Sequence, residues 1–309
     1  MNKIIPKVTV IGAGAVGATL AQRILESGIA DVVLLDVAKN MAIAKSFDLL
    51  DASSVIGHER SIFATDDYKF IAGSAVVVIT AGLARKPGMS RDDLVKKNAA
   101  IVSEISSNVK KMCPGSIVIV VTNPLDVMTY LAAKAAGFER NRVFGMAGLL
   151  DTSRFVYLVA SELKVSRSSV KACIMGSHGD TMVPILSKTL VDGKPITEVL
   201  AKDKLDSIIK RTRDRGAEIV SLLGTGSAYY SPSAAAFRMV EAVLKNSRET
   251  FVVSACLKGE YGLSDIAIGV PCVIGASGIN KIMEIELTED ERNAFRKSAA
   301  AIKETIGAL

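Results

Sequence analysis

The first half of the chain alternates short, uninterrupted apolar runs with longer segments of helical periodicity. The apolar runs are typical of buried β-strands and lie at 7–11 (KVTVI), 31–36 (DVVLLD), 75–80 (AVVVIT) and 116–122 (SIVIVVT). Helical segments between them include 18–28 and 91–112. Because continuous apolar strands joined by helices are typical of parallel sheets covered on both faces, the pattern predicts a doubly wound α/β domain. We expect this domain to occupy residues 1–147.

The pattern changes after residue 147. A helix is predicted over 149–163 (LLDTSRFVYLVASEL), and strands are predicted near 251–257 and 270–274. The chain closes with an amphipathic helix whose predicted N-cap is Thr288 and whose first turn is acidic, as helix N-termini favour. We therefore expect an α+β domain at 148–309.

A glycine-rich turn, IGAGAVG, connects the first predicted strand to the first predicted helix. Gly12 would permit a tight turn, Gly14 would let the backbone approach a pyrophosphate, and Gly17 would let helix and strand pack closely. Asp36 ends the next strand about 20 residues later, where a carboxylate can accept hydrogen bonds from ribose hydroxyls and repel a 2′-phosphate. This context predicts a Rossmann domain that binds NAD rather than NADP. A glycine turn without a ligand is the alternative.

Composition narrows the class of protein. The chain has 309 residues, of which 49% are hydrophobic and 23% charged, and this is typical of a globular protein. No apolar run approaches the roughly 18–20 residues that a membrane span needs. The net charge is +6, and its densest patch, KRTRDR at 210–215, resembles a solvated helix face more than a nucleic-acid footprint. An electropositive substrate cleft would use the same positive charge. We therefore expect neither nucleic acid nor membrane as a partner.

The cysteines and the N-terminus indicate the compartment. The four cysteines are far apart, form no CxxC pair and lie mostly in apolar runs, so they are interpreted as reduced core residues and not as metal ligands. The segment MNKIIP before the first strand is too short for a signal or transit peptide. These features predict a cytoplasmic protein.

Catalytic groups are sought first among the two histidines. His58 lies in a polar connection, whereas His178 lies between glycines after an apolar strand, which suits acid/base work. Asp151 and Arg154 are three residues apart on a predicted helix and share a face. Asp151 would hold the imidazole and Arg154 would bind a carboxylate, if that face meets the His178 loop. An ordinary surface ion pair remains the alternative.

Five motifs together resemble the lactate/malate dehydrogenase superfamily, most closely its lactate-dehydrogenase-like malate dehydrogenases. They are IGAGAVG with Asp36, LARKPGMSR (83–91), VTNPLD (121–126), GLLDTSRF (148–155) and MGSHGD (175–180). Their order and spacing cover essentially the whole chain. The resemblance implies an NAD-dependent oxidoreductase that interconverts (S)-malate and oxaloacetate, a reaction of the tricarboxylic acid cycle.

The resemblance also implies roles for individual residues. His178 would be the general acid/base, and Asp151 would orient it. Arg154 would bind the C1 carboxylate, Arg91 would polarise the reacting carbonyl, and Asn123 would contact the substrate oxygen or the nicotinamide end, next to a cis Asn123–Pro124 bond. The implied cofactor-binding set is Gly12, Ala13, Gly14, Ala15, Val16, Gly17, Asp36, Thr80, Ala81, Gly82, Asn98, Val121, Thr122 and Asn123.

Substrate choice within this family turns on the position of Arg85. Lactate dehydrogenases carry a neutral residue there, whereas oxaloacetate presents a second carboxylate whose burial without a partner would cost about 3–5 kcal/mol. Arg85 thus favours a dicarboxylate, with Ser227 near the substrate methylene. Val156 stands where lactate dehydrogenases activated by fructose bisphosphate carry a basic residue, which argues against that effector site.

Other functions remain open at this point. The chain could be an L-lactate or other 2-hydroxy-acid dehydrogenase, or a dinucleotide-binding protein without catalysis. The resemblance further implies a homo-oligomer, with a tetramer favoured over a dimer.

Overall fold

The computed structural model describes residues 5–83 and 91–309, except for the side chain of Arg91. In the first half, the strands are β1 (Lys7–Ile11), β2 (Asp31–Leu35), β3 (Ile62–Thr65), β4 (Val76–Ile79), β5 (Ile117–Val120) and β6 (Val143–Gly145). The helices are α1 (Ala15–Glu26), α2 (Lys39–Ile56), α3 (Arg91–Met112) and α4 (Leu125–Ala136). Each predicted strand of this half is present, with ends that differ by at most two residues.

The second half mixes helices and antiparallel strands. Its strands are β7 (Val170–Lys171), β8 (Ile174–Gly176), β9 (Met182–Pro184), β10 (Leu190–Val191), β11 (Lys194–Pro195), β12 (Glu249–Lys258), β13 (Ser264–Gly275) and β14 (Gly278–Ile282). Its helices are α5 (Gly148–Leu163), α6 (Ile196–Val199), α7 (Lys202–Leu223), α8 (Tyr230–Lys245) and α9 (Glu289–Gly307). The predicted α/β half followed by an α+β half is confirmed.

One large sheet runs through both halves. Its parallel part has the order β3-β2-β1-β4-β5-β6, the order of a dinucleotide-binding domain. The sheet continues through β12, which pairs antiparallel to β6, to β13, β8 and β9. Because the parallel strands end at one edge, the segments that follow β1, β2, β4 and β5 lie together there.

Two apolar clusters hold the elements in place. The larger one fills the space between the parallel sheet and its helices, and all four residues of Val76–Ile79 are completely buried. The smaller one joins α5 to α7 through Phe155, Val159 and Leu205, among others. Burial of the α5 face at Phe155 and Val159 fixes the orientation of the preceding turn, which carries Asp151 and Arg154.

The C-terminal helix α9 supports the loop that carries His178. Its predicted N-cap is confirmed, since the Thr288 hydroxyl accepts a hydrogen bond from the Glu291 N–H. The Glu291 carboxylate in turn accepts one from the Thr288 N–H, which completes a capping box. Further along α9, the buried Ser298 Oγ accepts a hydrogen bond from the Ser177 N–H at 2.8 Å. Across the described ranges, no helix is both long and apolar enough to cross a membrane.

Candidate active site

The glycine turn forms a cradle at the N-terminus of α1. Gly12 has φ of 107°, a conformation that favours glycine, and a Cβ there would lie 2.6 Å from the Ala81 nitrogen. A Cβ on Gly17 would overlap the Gly12 carbonyl oxygen. Among the described residues, none lies within 4 Å of the Gly14 Cβ position and no side chain caps the helix there. The turn is therefore packed tightly against the protein on one side and open on the side where a pyrophosphate would meet the helix N–H groups.

Asp36 lies at the carboxyl end of β2 and is tied to the turn. Its Oδ2 accepts a hydrogen bond from the Ala13 N–H at 2.6 Å, and its Oδ1 accepts one from the Ala38 N–H at 2.8 Å. The Lys45 Nζ donates to the Ala13 carbonyl oxygen at 2.6 Å, so the peptide groups on both sides of Ala13 are held. A carboxylate in this place, beside an open cradle, fits an NAD-binding site.

The remaining residues of the predicted cofactor set directly follow β4 and β5, except for Asn98, which lies in α3. The Thr80 hydroxyl donates to the Gly12 carbonyl at 3.0 Å, and the Thr122 hydroxyl donates to the Ala81 carbonyl at 2.6 Å. Asn98 is buried, and its amide hydrogen-bonds to the backbone of Leu83 and Asn123. Asn98 thus links the backbone segments that follow β4 and β5. The exposed members of the set at this edge are Gly14, Ala15, Gly82 and Asn123.

His178 and Asp151 meet, although 27 residues separate them in sequence. The His178 Nδ1 lies 2.8 Å from the Asp151 Oδ2, and both side chains are largely buried, at 13% and 2% exposed. Burial lowers the pKa of His178, but the charge and hydrogen bond of Asp151, with a smaller contribution from the charge of Asp126, leave this pKa above its ordinary value. The Asp151 carboxylate therefore favours the protonated imidazole.

Arg154 lies beside the Asp151 carboxylate but does not hydrogen-bond to it. Its Nη1 is 3.6 Å from the Asp151 Oδ1, beyond hydrogen-bonding distance. The buried Arg154 Nε and Asp151 Oδ1 both lack a hydrogen-bond partner within the described part of the chain. Burial lowers the pKa of Arg154, although a guanidinium remains charged at neutral pH. A largely buried guanidinium with an unused donor is suited to bind a carboxylate.

A cavity of about 330 Å³ brings these groups together. Its lining residues are Val16, Val121, Asn123, Met146, Leu150, Asp151, Arg154, His178, Gly179, Met182, Arg213, Gly216, Val220, Ser227, Ala228 and Pro232. The lining joins the predicted cofactor residues to the predicted substrate residues, and it includes Ser227. The peptide bond between Asn123 and Pro124 is cis, as the resemblance implied.

Asp126 is a site residue that sequence reasoning did not single out. It is almost completely buried, and its Oδ2 accepts a hydrogen bond from the His178 backbone N–H at 2.8 Å. Its Oδ1 accepts one from the Ser254 hydroxyl at 2.6 Å. Burial raises the pKa of Asp126, while the Ser254 and His178 hydrogen bonds lower it in part. The only signal in the sequence was its place in VTNPLD.

Two predicted substrate residues are not placed. Arg85 lies outside the described residues, and so does the side chain of Arg91, whose backbone begins α3. His58, interpreted from sequence as a loop residue, directly follows the left-handed Gly57 that ends α2, and it lines none of the cavities described above.

Comparison with known proteins identifies the family. Residues 6–145 match the model for the NAD-binding domain of lactate/malate dehydrogenase, and residues 149–308 match the model for its alpha/beta C-terminal domain. A malate dehydrogenase from Methanosarcina barkeri is 48% identical over 98% of this chain and 99% of its own length. The crystal structure of Cryptosporidium parvum malate dehydrogenase is 38% identical and superposes with a TM-score of 0.96, with 99% of each chain covered.

Lactate dehydrogenases have the same fold. The Cryptosporidium parvum lactate dehydrogenase, solved with lactic acid and β-nicotinamide adenine dinucleotide, is 36% identical, with a TM-score of 0.95 over 99% of this chain and 98% of that one. The cradle, the buried dyad and the unsaturated guanidinium described above lie within the matched segments. The chain therefore belongs to the lactate/malate dehydrogenase family.

Proposed function

We propose that the protein is an NAD-dependent malate dehydrogenase, which transfers a hydride reversibly between (S)-malate or oxaloacetate and the cofactor. The observation that carries this is the full-length identity of 48% to a malate dehydrogenase, together with the site that the chain builds. The open cradle at Gly14 and the Asp36 carboxylate fit NAD. When bound, NADH would supply the hydride in reduction and NAD⁺ would accept it in oxidation.

His178 provides the proton. In reduction, the protonated imidazole donates from Nε2 to the ketone oxygen, while Nδ1 keeps its hydrogen bond to the Asp151 Oδ2. In oxidation, the neutral imidazole takes the hydroxyl proton of malate at the same nitrogen. The Asp151 carboxylate stabilises the imidazolium and fixes the ring orientation, and burial keeps water away from the proton.

Arg154 and the loop cations orient the substrate. Arg154 lines the cavity and its Nε has no hydrogen-bond partner among the described residues, so we assign it the C1 carboxylate. We assign the reacting carbonyl to Arg91 and the second carboxylate to Arg85, on the sequence resemblance alone. Asn123 lines the cavity at the end of β5, where its side chain reaches the substrate or the nicotinamide side.

A lactate dehydrogenase is the second candidate. The lactate and malate dehydrogenases of one organism superpose on this chain almost equally well, at TM-scores of 0.95 and 0.96. The fold therefore does not separate the two activities, and we assign the choice between them to the charge of Arg85.

A substrate panel tests the proposal. Wild-type protein is assayed with oxaloacetate and pyruvate, each with NADH and NADPH, alongside Arg85→Gln and the matched control Lys86→Gln. We expect oxaloacetate with NADH to be the preferred pair. Arg85→Gln should lose on the order of a hundredfold or more in kcat/KM for oxaloacetate while keeping pyruvate activity, since a partnerless buried carboxylate costs about 3–5 kcal/mol and ~1.4 kcal/mol is tenfold. Equal wild-type rates on both oxo acids would sink the malate assignment.

We also propose that the protein is a homo-oligomer, a tetramer rather than a dimer. Helix α2 exposes apolar side chains to solvent, among them Phe47 at 61% and Val55 at 88%. A second exposed apolar group lies at the end of α7, where Leu222 is 82% exposed. Exposed apolar groups on two helices suit burial against further copies of this chain, as in a dimer of dimers.

The compartment we propose is the cytoplasm, and the pathway is the tricarboxylic acid cycle. All four cysteines are free thiols, and Cys113 and Cys272 are buried within the core. Such cysteines suit a reducing compartment. Measuring where the tagged protein fractionates in its own cells would test the first statement.

A further inference from the structure

Helix α7 presents two different faces to its surroundings. Arg213, Gly216 and Val220 follow at intervals of three and four residues, so they share one face, and all three line the cavity that holds His178 and Arg154. Arg211 and Arg215 lie on a neighbouring face of the same helix and line a separate surface hollow. The basic segment 210–215 is therefore divided between the candidate active site and the outer surface.

The guanidinium of Arg213 is connected to the catalytic loop. Its Nη2 donates a hydrogen bond to the Met182 carbonyl oxygen at 3.3 Å, and Met182 begins β9 directly after the loop that carries His178. Among residues 5–83 and 91–309, no carboxylate lies within 4.0 Å of this guanidinium. By contrast, Arg211 and Arg215 both pair with Glu218, at 3.2 and 2.9 Å. The charge of Arg213 thus stays unpaired among the described residues, whereas the charges of Arg211 and Arg215 are paired with Glu218.

The cavity lining carries more positive than negative charge and leaves space for a ligand. Asp151 is the one carboxylate among the described lining residues, and it already faces both His178 and Arg154. One turn further along the helix, no atom of the residues that the structure describes lies within 4 Å of the Gly216 Cβ position. The space next to Arg213 is therefore open to a ligand.

From this arrangement we propose that Arg213 is a specificity-determining residue, which draws a dianionic substrate into the cavity in preference to a monoanionic one. The inference rests on the proposed function. It makes Arg213 the second cation of the cavity, besides Arg154, that acts on the substrate. Arg213 is exposed and lies at the wall of the cavity. Its charge therefore attracts the bound substrate and the transition state equally. Such uniform attraction lowers KM and leaves kcat nearly unchanged.

The test compares Arg213→Gln with Arg211→Gln, which removes the same charge from the outer face of the same helix. For both variants and wild type, KM and kcat are measured with oxaloacetate and pyruvate over a range of NaCl concentrations. NADH affinity by fluorescence and thermal unfolding serve as controls for the cofactor site and the fold. We expect Arg213→Gln to raise the oxaloacetate KM about tenfold and the pyruvate KM by a smaller factor, with kcat within twofold. The wild-type oxaloacetate KM should rise with salt more steeply than that of the variant.

The outcomes separate this inference from the proposed function. Wild-type protein that reduces oxaloacetate, with Arg213→Gln and Arg211→Gln giving equal KM values, would overturn the role of Arg213 alone. A loss confined to kcat would also contradict it, since it would place Arg213 in the chemical step. Wild-type protein without oxaloacetate turnover would overturn the proposed function and this inference together.

Discussion

At the scale of single residues, His178 is held by two carboxylates that reach it from different directions. Asp151 contacts the ring at Nδ1, and Asp126 accepts the hydrogen bond of the backbone N–H. Both charges favour the imidazolium, against the effect of burial. The ring is therefore fixed at its side chain and at its backbone, which leaves Nε2 as the nitrogen that can face a substrate.

The first prediction concerns Asp151→Asn. Reduction needs the protonated imidazole, so kcat/KM for oxaloacetate should fall as pH rises through the raised pKa of His178. Removal of the Asp151 charge lowers this pKa, so the fall moves to lower pH, and the rate drops on the order of 10²–10⁴-fold. The pH profile of kcat/KM in both variants of the dyad, Asp151→Asn and His178→Asn, measures this. An unshifted profile in Asp151→Asn would show that Asp151 does not set the proton affinity.

The second prediction concerns Asp126. Asp126→Ala leaves the His178 N–H and the Ser254 hydroxyl without their acceptor, and it should lower the free energy of unfolding by about 2–4 kcal/mol. Asp126→Asn keeps an acceptor oxygen and the side-chain volume, so it should cost less stability while still shifting the pH profile of reduction to lower pH, because the charge is lost. Urea unfolding and the pH profile separate the two effects. Equal stability losses in both variants would contradict the assigned hydrogen bonds.

At the scale of single elements, the turn between β1 and α1 contains glycines with different duties. Gly17 is required by the packing of α1 against the turn, whereas no described residue lies within 4 Å of the Gly14 Cβ position. The third prediction follows from this difference. Gly17→Ala should destabilise the fold, because its methyl group overlaps the Gly12 carbonyl, while Gly14→Ala should leave thermal unfolding nearly unchanged and weaken NADH binding. NADH fluorescence titration and thermal unfolding measure both, and strong NADH binding by Gly14→Ala would argue against a cofactor at this cradle.

Elements with a clear local pattern could be predicted from sequence. Helix α3 begins and ends where its periodicity predicted, and Thr288 caps α9 as its residue type suggested. The sequence pattern gives no bounds for helix α2, because only Ala42 and Ser46 in it are buried and its apolar side chains are spread around the helix. Such a helix lacks the one-sided stripe that marks an amphipathic helix.

At the scale of the whole molecule, the exposed apolar surfaces of α2 and α7 bear on assembly. The fourth prediction is that the double variant Phe47→Glu/Val55→Glu dissociates the tetramer into dimers. Leu222→Glu should likewise disrupt the contact made at the end of α7. Analytical ultracentrifugation measures the mass, with Lys303→Glu on the exposed face of α9 as the matched control. A charge inside an apolar interface is costly, so a fully assembled α2 variant would show that this helix lies outside the interface.

The sequence by itself determined the parallel half with four of its strands, the glycine turn with Asp36 and the identity of the acid/base candidate. These depend on periodicity and on spacing within short segments, which local physical chemistry fixes. Only the tertiary structure decided that Asp126 supports His178 from 52 residues away and that Arg213, inside a basic segment, faces the cavity. Such meetings depend on how β6 joins β12 and how α5 packs on α7, and no local pattern encodes the distance between side chains on separate elements.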